Sequence, residues 1–220
     1  MSFDPALLRH YGPELLGGLE LTVVIWLLGS ALAIVLGFVI AIAATAGGRV
    51  LASAVRGYVE FFRGTPLLAQ LFLAYYGGPS VGLTLDAFTV GTIGLGLYGG
   101  AYFAEIFRAG FASIPLGQLE AARSFGISPA QRIRRIILPQ MLILAVPPGT
   151  NLLIILLKDT AILSIVTVPE LTYQVTGMTL ETFAYVEPFA ALAACYWGLT
   201  ELVSFLGRRA EHRLGGFLRP

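Results

Sequence analysis

Residues 21–48 read LTVVIWLLGSALAIVLGFVIAIAATAGG and carry no charged side chain. A helix crossing the hydrocarbon core of a bilayer needs about 20 mainly apolar residues. This run exceeds that need, and inside lipid a helix pairs all its backbone groups internally. The stretch therefore points to an all-α, membrane-embedded fold. Ala44-Thr45-Ala46 resembles a signal-peptide cleavage site. The run is nevertheless longer than the roughly 7–15 residues of a signal core, and Asp4 and Arg9 cancel in the segment before it. It reads as a retained helix.

The pattern repeats along the chain. Ranges 64–85, 87–104 and 136–157 are also uncharged, and 188–207 holds only Glu201. The 220 residues are 56% hydrophobic and 12% charged, against about 25% charged in a soluble domain. Mean hydropathy is +0.80. These runs predict one transmembrane domain over 1–220, with five spans at about 15–46, 54–77, 86–112, 134–157 and 186–207. Cys195 is the one cysteine, which permits no internal disulfide, and it reads as a small packing residue.

Five spans put the termini on opposite sides, and charge chooses which is which. All but Arg9 and Lys158 of the 14 basic residues follow spans 1, 3 or 5. The other side collects Asp4, Glu14, Glu20, Asp86, Asp159, Glu170, Glu181 and Glu187. Basic loops stay in the cytoplasm, so the N-terminus is expected outside and the C-terminus inside. Juxtamembrane arginines also attract anionic membrane lipid. Topology accounts for them without a nucleic-acid ligand.

The loop at about 113–133 lies on the inner side. Leu116, Leu119 and Phe125 recur at helical spacing, with Glu120 and Arg123 on the polar side. Gly126 suits a left-handed helix end and Ile127 a hydrophobic clasp beside it. Ser128 can cap a second helix with Pro129 in its first turn. Periodicity alone leaves two readings: a rigid knuckle that inserts into a partner, or an amphipathic connector on the bilayer surface.

Residues 120–139, EAARSFGISPAQRIRRIILP, match E-A-A-x₃-G-x₉-I-x-L-P. This resembles the cytoplasmic loop signature of bacterial ABC-importer permeases. FFRGTPLL at 61–68, GAYFAEIFRAGFASIPLGQLEAA at 100–122 and LLKDTAILSIVTVPELT at 156–172 resemble the polar amino-acid permeases of that family, so the likeness covers about 15–207. Ala161-Ile162 departs from the serine-leucine pair common after K-D-T, which bears on the choice of substrate. The resemblance implies the type I ABC importer permease fold in a bacterial inner membrane. It also implies a second permease chain (identical or related), two ABC ATPase subunits and an extracytoplasmic amino-acid-binding protein. The ATPase would dock on Glu120, Ala121, Ala122, Phe125, Gly126, Ile136, Leu138 and Pro139. ATP and Mg would belong to that partner, with no cofactor on this chain. Lys158 is the one lysine and lies in no Gly-Lys-Ser/Thr sequence.

Polar residues inside the spans mark a candidate path. Pro147 and Pro148 interrupt span 4 and remove backbone donors, so that carbonyls at Ile143 and Leu144 lose partners. A broken helix lining a cavity and a packed proline kink both fit. Thr150 and Asn151 follow. Lys158 and Asp159 are expected at the outer end of that span, with Thr160 beside them, either facing a zwitterionic solute or fixing a re-entrant loop. Tyr98, Tyr102 and Glu105 share one face of span 3, and Gly96, Gly100 and Ala104 form a ridge of small residues for close packing. Glu105–Arg108 and Glu60–Arg63 read as local pairs. Thr65 and Gln70, beside the bend at Gly64 and Pro66, could share a cavity with Asn151. No metal site or catalytic constellation is visible: His10 and His212 lie on opposite sides. Competing with the importer are a carrier or channel that works without an ATPase, and a membrane scaffold.

Overall fold

The computed structural model describes residues 5–46 and 48–215. Every regular element among them is helical. A short α1 (Pro5–His10) leads into α2 (Gly12–Ala46). Next come α3 (Arg49–Gly64) and α4 (Leu67–Phe72), and a widened turn, Leu73–Gly77, continues α4. α5 (Ala87–Ala112) precedes the knuckle helices α6 (Leu116–Ser124) and α7 (Pro129–Arg132). A second widened turn, Ile133–Ile137, opens into α8 (Leu138–Asp159), which tightens over Thr160–Val166. α9 (Leu171–Thr182) and α10 (Val186–Gly215) complete the chain.

Three helical segments are long and apolar enough to cross a membrane: Gly12–Ala44, Pro129–Val166 and Val186–Leu214. α5 is 26 residues long, about 39 Å at 1.5 Å per residue, and is the most deeply packed helix. Its glycines and tyrosines lower its hydropathy but serve packing. A Cβ on Gly37 of α2 would stand 2.8 Å from the Ala104 nitrogen and 2.9 Å from the Gly100 carbonyl oxygen of α5. Only glycine allows that approach.

Contacts give the direction of each helix. Gly29 meets Thr92 and Leu95, Ala33 meets Gly99, and Gly37 meets Gly100 and Phe103, so α2 and α5 run side by side in the same direction. On α8, Met141 packs by Gly110, Gly149 by Phe103 and Leu156 by Gly99, in antiparallel order. α10 opposes α8 in turn, with Gly207 by Thr150 and Tyr196 by Thr160. The chain from Arg63, near Glu105, to Leu71, near Gly94, runs against α5. The core where these helices meet includes Ile25, Leu71, Leu95, Phe103, Met141, Leu156 and Leu163. Outward-facing Leu28, Val35, Val39, Trp197 and Phe205 are exposed, as lipid- or protein-facing side chains should be.

Two expectations need correction. The prolines do not break span 4: α8 is continuous through Pro147 and Pro148. Proline's fixed φ is compatible with a helix, so the chain continues although each proline removes a backbone donor and its ring crowds the carbonyl four residues back. Lys158 and Asp159 do not sit at the outer end of the span either. Leu156 meets Gly99, halfway along α5, and the helical turn Thr160–Val166 carries the chain on until Leu163 reaches Gly91.

Candidate coupling knuckle and transport pathway

The knuckle is built from two helix caps. Gly126 adopts φ 68°, its N–H donates to the Arg123 carbonyl at 2.9 Å, and the Ile127 N–H donates to the Ala122 carbonyl at 3.0 Å. These two bonds end α6 in a Schellman turn. Ser128 then caps α7, accepting from the Gln131 N–H at 3.4 Å, while the Gln131 side chain accepts from the Ser128 N–H at 3.3 Å. This reciprocal box follows S-x-x-Q, a pattern that sequence reading could have used in full. Gln140 donates to Gln118 at 2.8 Å and to the Ile136 carbonyl at 2.9 Å, tying the base of α8 to α6.

Held this way, the motif residues divide. Ala122 is buried, Ile136 and Leu138 are half-buried, and Glu120, Ala121, Gly126 and Pro139 are exposed. Phe125 is 84% exposed at the tip. A bare aromatic ring beside a rigid turn has the shape of an anchor for a hydrophobic pocket on another protein.

The polar residues of the spans form two stripes. On α5, Tyr98 and Tyr102 approach through their hydroxyls at 3.2 Å. Arg63 lies over the Tyr102 ring at 5.2 Å and stands 3.8 Å from Glu105. Arg108 binds Glu105 with both donors, Nε to Oε1 at 3.0 Å and Nη2 to Oε2 at 2.7 Å. Arg63 thus turns across to Glu105 rather than to Glu60 on its own helix, because α3 packs against α5, where the Tyr58 hydroxyl donates to the Leu97 carbonyl. At the other end of the stripe the Asp159 carboxylate is within electrostatic reach of Tyr98. On α8, Leu144, Pro147, Pro148, Asn151, Ile155 and Lys158 are the exposed face, opposite buried Ala145, Gly149, Leu152 and Leu156.

Other expected path residues are occupied locally. Gln70 donates to the Thr65 hydroxyl at 2.8 Å and to the Thr65 and Phe62 carbonyls, which ties the α3–α4 bend. Thr150 donates to the Val146 carbonyl one turn back at 2.9 Å. Thr160 is buried, with its hydroxyl on the Leu157 carbonyl and on Tyr196.

A buried hub at Glu170 escaped the sequence reading. It is fully buried, caps α9 through the Thr172 and Tyr173 N–H groups at 2.9 and 2.8 Å, and accepts from Tyr196 at 3.3 Å and Thr22 at 3.4 Å. Burial pushes its carboxyl upward while the donors pull it down. Thr22 and Tyr196 are remote in sequence, so only the position before a helix could have drawn attention to Glu170.

An all-helical bundle with helices apolar enough to cross a membrane, a capped knuckle and polar stripes along α5 and α8 has the architecture of a transporter subunit of the permease class. The chain belongs to the family described as binding-protein-dependent transport system inner membrane component, which matches residues 33–216. It is 37% identical over 202 residues to the probable amino-acid ABC transporter permease protein y4tG of Sinorhizobium fredii (strain NBRC 101917 / NGR234), covering 92% of this chain and 87% of that one. It is 34% identical over 216 residues to the glutamine transport system permease protein GlnP of Escherichia coli (strain K12), covering 97% and 99%. A solved structure described as an amino acid ABC transporter with histidines superimposes with TM-score 0.88 at 35% identity, over 97% of this chain and all of that one. The chain is therefore an ABC importer permease subunit, translocating rather than catalytic.

Proposed function

We propose that the chain carries a polar amino acid, or a related compound such as an opine, into the cytoplasm. The observation that carries this is the charged pair Lys158–Asp159, which follows within one helical turn of Leu156 where that residue meets Gly99 at the middle of α5, with Asp159 in electrostatic reach of Tyr98. Charges at membrane mid-depth are costly and mark solute paths, and opposite charges there suit the two ends of a zwitterion. The kinship with permeases named for amino acids supports the same class of solute.

Five crossings fit the packing best. α2 and α5 run in the same direction, so the chain between them must return across the membrane, and α3, α4 and Leu73–Gly77 provide that return. With the basic residues inside, the N-terminus is outside and the C-terminus cytoplasmic. The exposed stripe of α8, with Asn151 and Lys158, faces a second permease chain (identical or homologous) across the path. Tyr98, Tyr102 and Asp159 line the near side, while Thr65, Gln70, Thr150 and Thr160 hold its walls. Two ABC ATPase subunits, bearing ATP and Mg, grip Phe125 and the E-A-A turn, and an extracytoplasmic binding protein delivers the solute. ATP binding closes the ATPases, moves the knuckles and opens the spans outward; hydrolysis resets them.

The test is uptake. The permease complex is reconstituted in proteoliposomes with ATP enclosed and its binding protein outside, and a panel of radiolabelled L-amino acids is offered. Uptake of one or a few polar amino acids, dependent on ATP and reduced at least tenfold by Asp159→Asn, is expected. Equal uptake without ATP favours a self-sufficient carrier and contradicts the proposal.

A further inference from the structure

The charges of α3 are placed unusually for a helix at a membrane. Arg56, Glu60 and Arg63 recur at spacings of four and three and share one face. With Ala52, Val55 and Val59 that face lines a cavity of about 590 Å³, bounded also by Ala44 of α2 and by Glu105 and Arg108 of α5. The opposite face carries Val50 and Phe61, both exposed. Ionisable side chains in membrane proteins turn inward when they line a water-filled space. Val59 is buried at the floor of this cavity, while Arg56, Glu60 and Arg63 stand exposed at its mouth.

The charge in this cavity is uneven. Three arginines and two glutamates line it. Arg108 already engages both oxygens of Glu105. Arg63, at 3.8 Å from that carboxylate, forms an ion pair too long for a hydrogen bond. Among the described residues no ion pair engages Arg56 or Glu60. The cavity therefore offers two forked donor groups and one unpaired carboxylate on adjacent turns. Guanidinium for carboxylate and carboxylate for ammonium is the pattern that fits a zwitterion, and the volume is in the range of small-molecule sites. Arg63 lies over Tyr102, so the cavity joins the stripe that runs along α5 to Tyr98 and Asp159.

We propose that this cavity is a cytoplasm-facing station for the imported amino acid. Arg56 and Arg63 hold its α-carboxylate and Glu60 its α-ammonium, so solute accumulated inside the cell occupies the station and slows further import. This rests on the solute being an amino acid, as proposed above.

The experiment preloads the proteoliposome lumen, which corresponds to the cytoplasm, with increasing amounts of the amino acid selected in the uptake panel. The initial ATP-driven uptake of the same radiolabelled compound is then measured. Luminal solute slows the wild type. Arg56→Gln and Glu60→Gln each raise the luminal concentration that halves the variant's own rate by about tenfold, the size of one charge-assisted contact. Arg56→Lys, which keeps the charge and loses the fork, falls between. Co-purification of the ATPase with each variant verifies its fold. Equal inhibition of wild type and variants overturns the station, as does uptake untouched by luminal solute. Inhibition that disappears only when phosphatidylglycerol replaces phosphatidylcholine assigns the cavity to an anionic lipid headgroup and also overturns it. No ATP-driven amino-acid uptake by the wild type overturns the substrate assignment and the station together.

Discussion

At the residue scale, the molecule separates side chains that hold the fold from those left free to act. Phe125 packs on almost nothing, so Phe125→Ala should change the stability in detergent by no more than about 0.5 kcal/mol and leave the thermal midpoint in place. ATP-driven uptake by the reconstituted complex should fall at least tenfold. A lowered midpoint with normal uptake would mean that the ring is a packing residue. Glu170 is the opposite case. Glu170→Gln turns one of the two acceptor oxygens into an amide donor, so either the Tyr173 N–H or the Thr172 N–H and Tyr196 hydroxyl lose their acceptor, and should cost about 2–3 kcal/mol in chemical or thermal unfolding. The two residues also differ in how far sequence could reveal them. Phe125 lies in a motif with fixed spacing, whereas Glu170 depends on partners far away in the chain. Arg63 shows the same limit: a local i,i+3 rule points to Glu60, and only the packing of α3 on α5 brings it to Glu105.

At the element scale, caps and close contacts decide where helices end and how near they come. Gly126 has open space around it but a positive φ, so Gly126→Val should strain the knuckle through the backbone alone, by about 1–2 kcal/mol. ATPase co-purification should fall while α-helical circular dichroism stays at the wild-type level. Asp86 caps α5, accepting from the Thr89 hydroxyl at 2.7 Å and the Thr89 N–H at 3.0 Å, which hold its carboxyl below the usual carboxylate range. The folded value lies below the unfolded one, about 3.9. The stabilisation is therefore present above that pH and is lost as pH falls through the lowered folded value. The gap in melting temperature between wild type and Asp86→Ala should be constant near neutrality and narrow below about pH 4; a gap that widens in acid would contradict it. Helix existence was legible from uncharged runs, and the turn at Gly126 from local chemistry. Continuity through Pro147 and Pro148 was not, because a proline pair states which donors are missing but not whether packing against neighbouring helices carries the helix through.

At the scale of the whole molecule, alternating helix directions place the knuckle at one end of the bundle and the Glu170 hub at the other, with Asp159 between them. That arrangement lets movement at the knuckle reach mid-depth through α8, whose base is tied to α6 by Gln118 and Gln140 and whose far end is tied to α10 by Thr160 and Tyr196. That the chain holds helices long and apolar enough to cross a membrane could be read from its hydrophobic runs. The depth of Lys158–Asp159 could not, since it depends on the continued turn Thr160–Val166 and on Leu156 meeting Gly99. The central claim is that this chain transmits the work of a separate ATPase through its E-A-A knuckle. The most direct measurement is purification of the chain from its native membrane in mild detergent, as wild type and as Phe125→Glu, with mass spectrometry of what accompanies each. The account predicts an ABC ATPase with the wild type and its loss, at unchanged yield of folded permease, with Phe125→Glu. Wild-type chain recovered folded but without any ATPase, or an ATPase retained equally by both, would contradict it.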